Sequence, residues 1–409
     1  MLKSRVKSGE ISPEEVIKAA NERFFKAHKI MGEMTEVDLD QLSAFERFLD
    51  NELWLAYLDA RKNKRGTEDE QEFEMLEREN LTGLRESVAT GKYKPSRGIA
   101  FVNFKPVIRE IYAAPFRDRV IHHFLYRQSA AIWDRWFIND SYSCRKGKGT
   151  LYGVKRIQKF IKSASKNGRR KAYALQFDIS SYFMSLDRRK LFKAVKEALR
   201  RQFPDYEHNW KYDLLLSLWK EVIFDDPTEG VIRRGKASDW DKVPRGKRMD
   251  CQPPGKGIVI GNLTSQLLSN LYLSKLDWFI THELGWKRYG RYVDDFVIIV
   301  TEEELERALA DKPKIVEFLA GLGLKIHPTK TATTEVHKGV KFLGIVIYPT
   351  HAVLAKRFRR SFWEAAVETG MGYRDMESVI AYIGLSCHYN TRKLREKMRR
   401  YWDVAVDAA

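Results

Sequence analysis

The sequence predicts an α+β protein built on an antiparallel sheet backed by helices. Between 172 and 300 it reads strand, helix, helix and hairpin, with an aspartate closing the first strand and an Asp-Asp pair at the hairpin turn. Helical spacing of apolar residues dominates both flanks of that stretch. A chain of 409 residues, 44% hydrophobic and 12% aromatic, is also long enough for two or three lobes with real cores.

Taken in order, residues 11–32 and 42–62 have helical spacing, the second through Phe45, Phe48, Leu49, Leu53, Leu55, Ala56 and Leu58. "RKNKRGTEDEQEFEMLEREN" (61–80) is a charged turn feeding another helix. "GIAFVNFKPVIREIYAA" (98–114) alternates β-branched and aromatic residues as a strand pair does, and 116–137 returns to helical spacing. In "GTLYGVKRIQKFIKSASK" (149–166), Lys155, Lys159, Lys162 and Lys166 form one basic stripe beside an apolar stripe of Val154, Ile157 and Ile161. Four ammonium groups in a row suit a run of phosphates. "RRKAYALQFDISSYF" (169–183) predicts a strand ending at Asp178, followed by helices over 187–203 and 209–222. The Gly-, Pro- and charge-rich stretch 225–257 is expected to be an inserted or mobile loop. A long helix (264–283), a hairpin (287–300), a helix (302–321), short strands in "GLKIHPTK" and "GVKFLGIVI", and basic helices from 354 onward complete the chain.

Bulk properties narrow the function. Net charge is +18, divided as −5 over residues 1–92 and +23 over 93–409, so a polyanion, nucleic acid first, is the expected partner of the basic body. No apolar run is long enough to span a bilayer, and the N-terminus lacks a signal-peptide core. Cys144, Cys251 and Cys387 form no C-x-x-C pair, which points to a reducing, cytoplasmic setting without structural zinc. The single "THEL" (281–284) lacks a second zinc-binding histidine.

"RYVDDFV" (291–297) places two adjacent aspartates in a strand-like run, where their charges repel. Successive strand side chains point to opposite faces, so only one of the pair is expected to be a full ligand. If the fold brings Asp294 beside Asp178, 116 positions upstream, a cation must neutralise the pair. Hard oxygen donors without His or Cys select Mg²⁺. Two such ions about 3.5–4 Å apart can activate a 3′-hydroxyl and stabilise a departing pyrophosphate.

On these residues the chain resembles the reverse transcriptases. Tyr292-Val293-Asp294-Asp295 matches their "Y-x-D-D" hairpin, and "DISSYF" matches their first palm motif, an aspartate followed five residues later by an aromatic gate. The resemblance implies a right-hand polymerase with these parts: a helical N-terminal extension and the start of the fingers (1–92), fingers (93–170), a palm (171–350, carrying the 225–257 loop) and a helical thumb (351–409). It implies that Asp178 and Asp294 bind two Mg²⁺ ions with the carbonyl of Ile179, that Asp295 supports them, and that Phe183 closes the space of a ribonucleotide 2′-hydroxyl. It nominates Arg109, with Lys105 as a second candidate, for the triphosphate. Lys330, in "LGLKIHPTKT" (322–331), becomes the proton donor or electrostatic partner of the pyrophosphate. "KFLGIVI" (341–347) resembles the primer-grip hairpin. Arg359, Arg360 and the helix in "NTRKLREKMRRYW" (390–402) would cradle the template–product duplex.

"IGNLTSQ" (260–266) is narrower still. With "SYSCRKGKGT" (141–150) and "REIYAAPFRDRVIHHF" (109–124), it resembles the reverse transcriptases of diversity-generating retroelements. That subfamily misincorporates opposite template adenines and works with a structured template RNA and a small basic ring-forming accessory protein. Gly261 would let backbone approach the template base or nucleotide, which a Cβ would obstruct. Ile260 and Gln266 replace the residues most reverse transcriptases carry, and an apolar Ile260 removes a polar check on pairing. The acidic 1–92 segment offers a dock for the basic accessory protein. The sixty or so residues after the primer grip are too few for a ribonuclease H or integrase domain. Other readings are an antiphage or retron-type reverse transcriptase, whose usual residues differ at 260 and 266, and a non-catalytic RNA-binding scaffold, which has no need of mutually repelling carboxylates.

Overall fold

The computed structural model describes residues 44–62, 66–104, 107–371, 376–389 and 391–407. The expected helix at 11–32 and the candidate Lys105 lie outside them. The chain divides into two compact units, residues 1–96 with 115–127, and 97–114 with 128–409.

In the first unit, α1 (Ala44–Ala60), α2 (Glu68–Met75) and α3 (Glu77–Ala89) bury Leu49, Leu53, Tyr57, Phe73, Leu84 and Val88 with Phe116 and Phe124. Asp118, also buried, accepts from the Tyr93 hydroxyl (3.0 Å) and the Ser96 N–H (2.6 Å), closing the unit on itself.

The second unit is organised by three sheets. β1 (Ile99–Asn103) pairs antiparallel with β2 (Arg109–Ala113), as the alternation predicts. After α4 (Phe116–Asp134), whose residues to Arg127 cluster with the first unit, α5 (Thr150–Ala164) leads into β3 (Ala172–Asp178). A single turn, α6 (Tyr182–Ser185), precedes α7 (Arg188–Gln202) and α8 (Trp210–Phe224). α7 starts where Asp187 accepts from the N–H groups of Arg189 and Lys190, and α8 where Asn209 does the same for Lys211 and Tyr212.

The stretch 225–257, expected as an inserted or mobile loop, carries short elements of its own. It contains β4 (Ile232–Arg233), which joins β1 in parallel as a third strand, and α9 (Ala237–Asp241). Trp240 and Met249 bury themselves against Ala100, Tyr112 and Met184, which supplies the ordering energy that composition does not reveal.

α10 (Leu263–Trp278), β5 (Tyr289–Tyr292), β6 (Asp295–Thr301), α11 (Leu305–Gly321) and β7 (Ala332–Glu335) complete a four-stranded antiparallel sheet in the order β5-β6-β3-β7. "GLKIHPTK" forms one bridge, Ile326 with Ile179, rather than a strand. There the chain crosses the end of β3, with the His327 N–H on the Asp178 carbonyl (2.7 Å) and the Ser180 N–H on that of Lys325 (2.8 Å). A further sheet, β8 (Val340–Phe342), β9 (Ile345–Ile347) and β10 (Ala352–Leu354), precedes α12 (Lys356–Gly370), α13 (Met376–Ser386) and α14 (Arg392–Asp407).

Helices stand on both faces of the four-stranded sheet. Adjacent strand residues point oppositely. Tyr289 reaches Asp277 on α10, while Gly290 faces Tyr142 and Ile157 on the α5 side. On the α5 side, Ala172, Ala174, Val297 and Ile299 meet Val154, Ile157, Phe160, Ile161, Val340 and Ile345.

A Cβ at Gly290 would overlap the Tyr142 hydroxyl and come within 2.9 Å of Ile157 Cδ1. Gly290→Ala is therefore expected to lower unfolding stability in denaturant by about 1–3 kcal/mol. Gly321→Ala, with nothing within 4 Å, should change it little.

Candidate functional site

The register of β3 and β6 places Asp178 directly opposite Asp295. Asp294 precedes β6 in the turn, and its carbonyl accepts the N–H of buried Ile179 at 3.2 Å. Two segments far apart in sequence thus meet at one sheet end, and three carboxylates stand together.

The turn is under strain. Val293 has φ 54°, a left-handed conformation that a β-branched residue adopts at a cost of about 1–3 kcal/mol. Arg291 Nη1 holds it by donating to the Val293 carbonyl at 3.0 Å. Arg291 is 1% exposed. Its Nε and Nη2 grip both oxygens of Asp277 at 2.7 Å, and the Tyr289 hydroxyl adds a third bond to that carboxylate, also at 2.7 Å. The backbone of Arg291 binds the 140–142 segment through the Asp140 carbonyl and the Tyr142 N–H, both at 2.9 Å. Arg145 fixes that segment by donating to Asp134 (2.5 Å) and to the carbonyls of Ile138 (2.6 Å) and Ser141 (2.9 Å). "SYSCRKG" thus has a structural role that motif reading did not expose.

Lys330 Nζ lies 3.1 and 3.0 Å from the two oxygens of Asp178. Burial, then the charges of Asp294 and Asp178, push the Asp295 carboxyl up to about 7. Burial, with the charge of Asp178, also raises Asp294, while Lys330 and Arg109 counter it. Among the described residues no three acidic, His or Cys side chains already stand in ligating geometry. The ammonium on Asp178 marks where a cation is wanted. An all-oxygen donor set of Asp178, Asp294, Asp295 and the Ile179 carbonyl fits a hard divalent ion.

The other candidates fall into two groups. Phe183 is half-buried beside Tyr182 (ring centroids 5.3 Å apart), and its carbonyl accepts from the Ile258 N–H at 3.0 Å. Ile260 is half-buried, and its carbonyl takes the Tyr112 N–H at 3.3 Å. Gly261 has φ 132°, and a Cβ there would lie 2.8 Å from the Tyr112 carbonyl. The glycine is thus required by close approach to β2. Gln266 is exposed on the first turn of α10, and Arg109 is exposed on β2. The second group is more distributed. Lys155, Lys159 and Lys162 are exposed on α5, but Lys166 lies past the helix end with φ 48° and leaves the stripe. Arg359 and Arg360 are exposed on α12, Arg360 paired with Glu364 at 2.7 Å.

A family model described as "Reverse transcriptase (RNA-dependent DNA polymerase)" matches residues 109–347, more than half of the chain and inclusive of Asp178, Asp294 and Asp295. The chain belongs to the reverse transcriptase family. Its α+β fold is the right-hand polymerase fold of that family, whose members are RNA-directed nucleotidyltransferases that use divalent metal ions. Among curated relatives, Protein YkfC of Escherichia coli (strain K12) is 23% identical over 311 residues, 68% of this chain and 71% of that protein. Among solved structures, telomerase from Candida albicans in complex with a TWJ fragment of telomeric RNA aligns with a TM-score of 0.47 and 12% identity. That alignment covers 78% of this reverse transcriptase and 57% of the telomerase chain. Apo telomerase from Candida tropicalis aligns at 0.46 and 11%, covering 81% and 64%. The chain thus spans less than two thirds of either telomerase.

Two outcomes follow from the site. Because the folded state holds Asp295 above the ordinary carboxylate range, its proton is favoured on folding; that stabilisation is present below about pH 4 and lost as pH rises towards 7. Without divalent metal, Asp295→Asn should melt about 2–4 °C above the parent at pH 8 and equal it near pH 4; a gap independent of pH would refute the assignment. Asp277→Ala, which strands the Arg291 charge, should cost about 3–5 kcal/mol in equilibrium unfolding, and Asp277→Leu with Arg291→Met should recover most of it.

Proposed function

We propose that this chain copies a template RNA into cDNA from deoxynucleoside triphosphates, with frequent misincorporation at template adenines, to diversify a target gene. The observation that carries the polymerase reading is the Asp178–Asp295 register pair, with Asp294 tied to Ile179. A non-catalytic scaffold gains nothing from three mutually repelling carboxylates, one buried and two half-buried.

In this reading Asp178 and Asp294 hold two Mg²⁺ ions with the Ile179 carbonyl, and Asp295 supports them. Bound there, such ions would supply activation of the primer 3′-hydroxyl and counter-charge for the departing pyrophosphate. Arg109, whose charge already reaches Asp294, binds the triphosphate with its planar fork. Lys330 meets the pyrophosphate as donor or counter-charge. Phe183 blocks a ribonucleotide 2′-hydroxyl. Residues 93–170 serve as fingers and 171–350 as palm. The thumb is 351–409, with its core of Phe362, Ala365, Ala366, Val379 and Met398. The cations of α5 and α12 position the duplex by its phosphates. The reading as a diversity-generating enzyme rests on "IGNLTSQ" and on Ile260, whose backbone is engaged by β2 while its side chain stays half-exposed. It also assigns a basic ring-forming partner to the acidic 1–92 segment. Charge reversal at exposed Glu72 and Glu79 should weaken that partner's binding in titration, and an unchanged affinity would remove the segment from the interface.

Primer extension on an adenine-containing RNA template, with sequenced products, tests the core claim. The parent should extend only with a divalent ion, and Asp294→Ala should fall below ~1% of parental rate. Ile260→Gln should lower errors opposite adenine, and synthesis undiminished in Asp294→Ala would end the reading.

A further inference from the structure

We propose that the 225–257 insertion completes the nucleotide site, with Arg245 and Lys247 forming a second cationic wall for the polyphosphate of the incoming nucleotide. The proposal rests on the polymerase reading above and goes beyond it, since no motif of the chain points to this segment.

The insertion is held at both ends by one buried guanidinium. Arg188 Nε donates to the Gly257 carbonyl at 2.8 Å and Nη1 to that of Asp225 at 2.6 Å, while the Arg188 N–H takes the Gly255 carbonyl at 3.0 Å. Its interior is pinned as well. The carboxylate of Glu110 on β2, 1% exposed, accepts the Met249 N–H at 2.8 Å. Asp250 takes Arg233 at 2.8 Å and Arg248 at 2.7 Å, and Trp240 and Met249 pack on Met184 of α6. The Gly257 N–H binds the Leu186 carbonyl at 2.8 Å, just past that turn.

This anchoring brings residues 245–247 against the turn that follows Asp178. A Cβ at Gly246 would lie 3.8 Å from Ser181 Oγ, and Ser181, three residues after Asp178, is exposed with φ 45°. Arg245 and Lys247 flank that glycine, and both are exposed. The short 3₁₀ turn that holds them is closed by the Lys247 N–H on the Pro244 carbonyl at 2.7 Å and by Gln252 Nε2 on the Arg248 carbonyl at 2.6 Å.

Charge explains why such a wall is needed. A triphosphate brings several negative charges into a site where Lys330, paired with Asp178 before metal binds, and the two ions already serve three carboxylates. Arg109 is one counter-charge, on β2. Two more cations, carried on a segment fixed to both β2 and the Asp178 turn, lower the repulsion without an ordering cost at each binding event.

The test is steady-state primer extension with the full chain, varying deoxynucleoside triphosphate, with inorganic tripolyphosphate as competitor. Arg245→Ala with Lys247→Ala should raise KM and the tripolyphosphate Ki together by about tenfold, leave kcat within about twofold, and leave template–primer affinity unchanged. Arg245→Lys with Lys247→Arg should restore both, and an unchanged melting temperature in both double variants keeps folding out of the comparison. An unaltered KM and Ki overturn the proposal, as does a loss of template–primer affinity instead, which would assign the cations to the nucleic-acid backbone. If the parent extends no primer, the polymerase reading fails, and that outcome is distinct from both.

Discussion

The buried grip of Arg291 on Asp277 is the contact on which the site depends. It joins three pieces that sequence order keeps apart: the 140–142 segment, α10, and the hairpin that presents Asp294. Desolvating two charges is expensive, and the recovery comes from geometry: two parallel bonds at 2.7 Å, a tyrosine hydroxyl on the same carboxylate, and a spare N–H on the Val293 carbonyl. That last bond converts a structural pair into a positioning device. It holds a valine in a left-handed conformation, and the next residue is the aspartate that must stand beside Asp178.

Around this anchor the protein tolerates conflict. Three carboxylates, two of them raised by burial and mutual charge, share one sheet end with a lysine, a state that folding by itself would not favour. Local rules are broken at Val293, at Ser181 and at the carboxylate cluster, all within one turn of the expected chemistry. The rest of the sheet obeys them. Phe177 and Phe296 stack at 4.7 Å, one register position before the acidic pair, so rigid packing abuts the strained end directly.

Much of the fold was legible because it is written in short periods. The strand ending at Asp178, the hairpin at 289–301 and the helices with polar caps at Asp187 and Asn209 all carry local signals. The carboxylate cluster was legible because an Asp-Asp pair in an apolar strand has few other reasons to exist. What escaped was tertiary. Arg291 and Asp277 each look like ordinary surface charges until the fold buries them against one another, although a charge on the inward face of "YGRYV" was a signal of sorts. The close approach of Gly261 to the Tyr112 carbonyl is likewise a tertiary contact that sequence spacing does not show. Polar, proline-rich composition hid an insertion that orders itself through Trp240, Val243, Met249 and the carboxylate of Glu110, because three buried apolar side chains scattered over about thirty residues do not register as a pattern.

The closure of both insertion ends by Arg188 has an engineering consequence. The Asp225 and Gly257 carbonyls meet on one side chain, so the segment between them leaves and rejoins the body at a single footing. Because β4 and the buried Trp240 and Met249 fix most of its contour, a foreign peptide would have to be spliced into the exposed turn 234–236, between β4 and α9, to be displayed without re-plumbing the sheet.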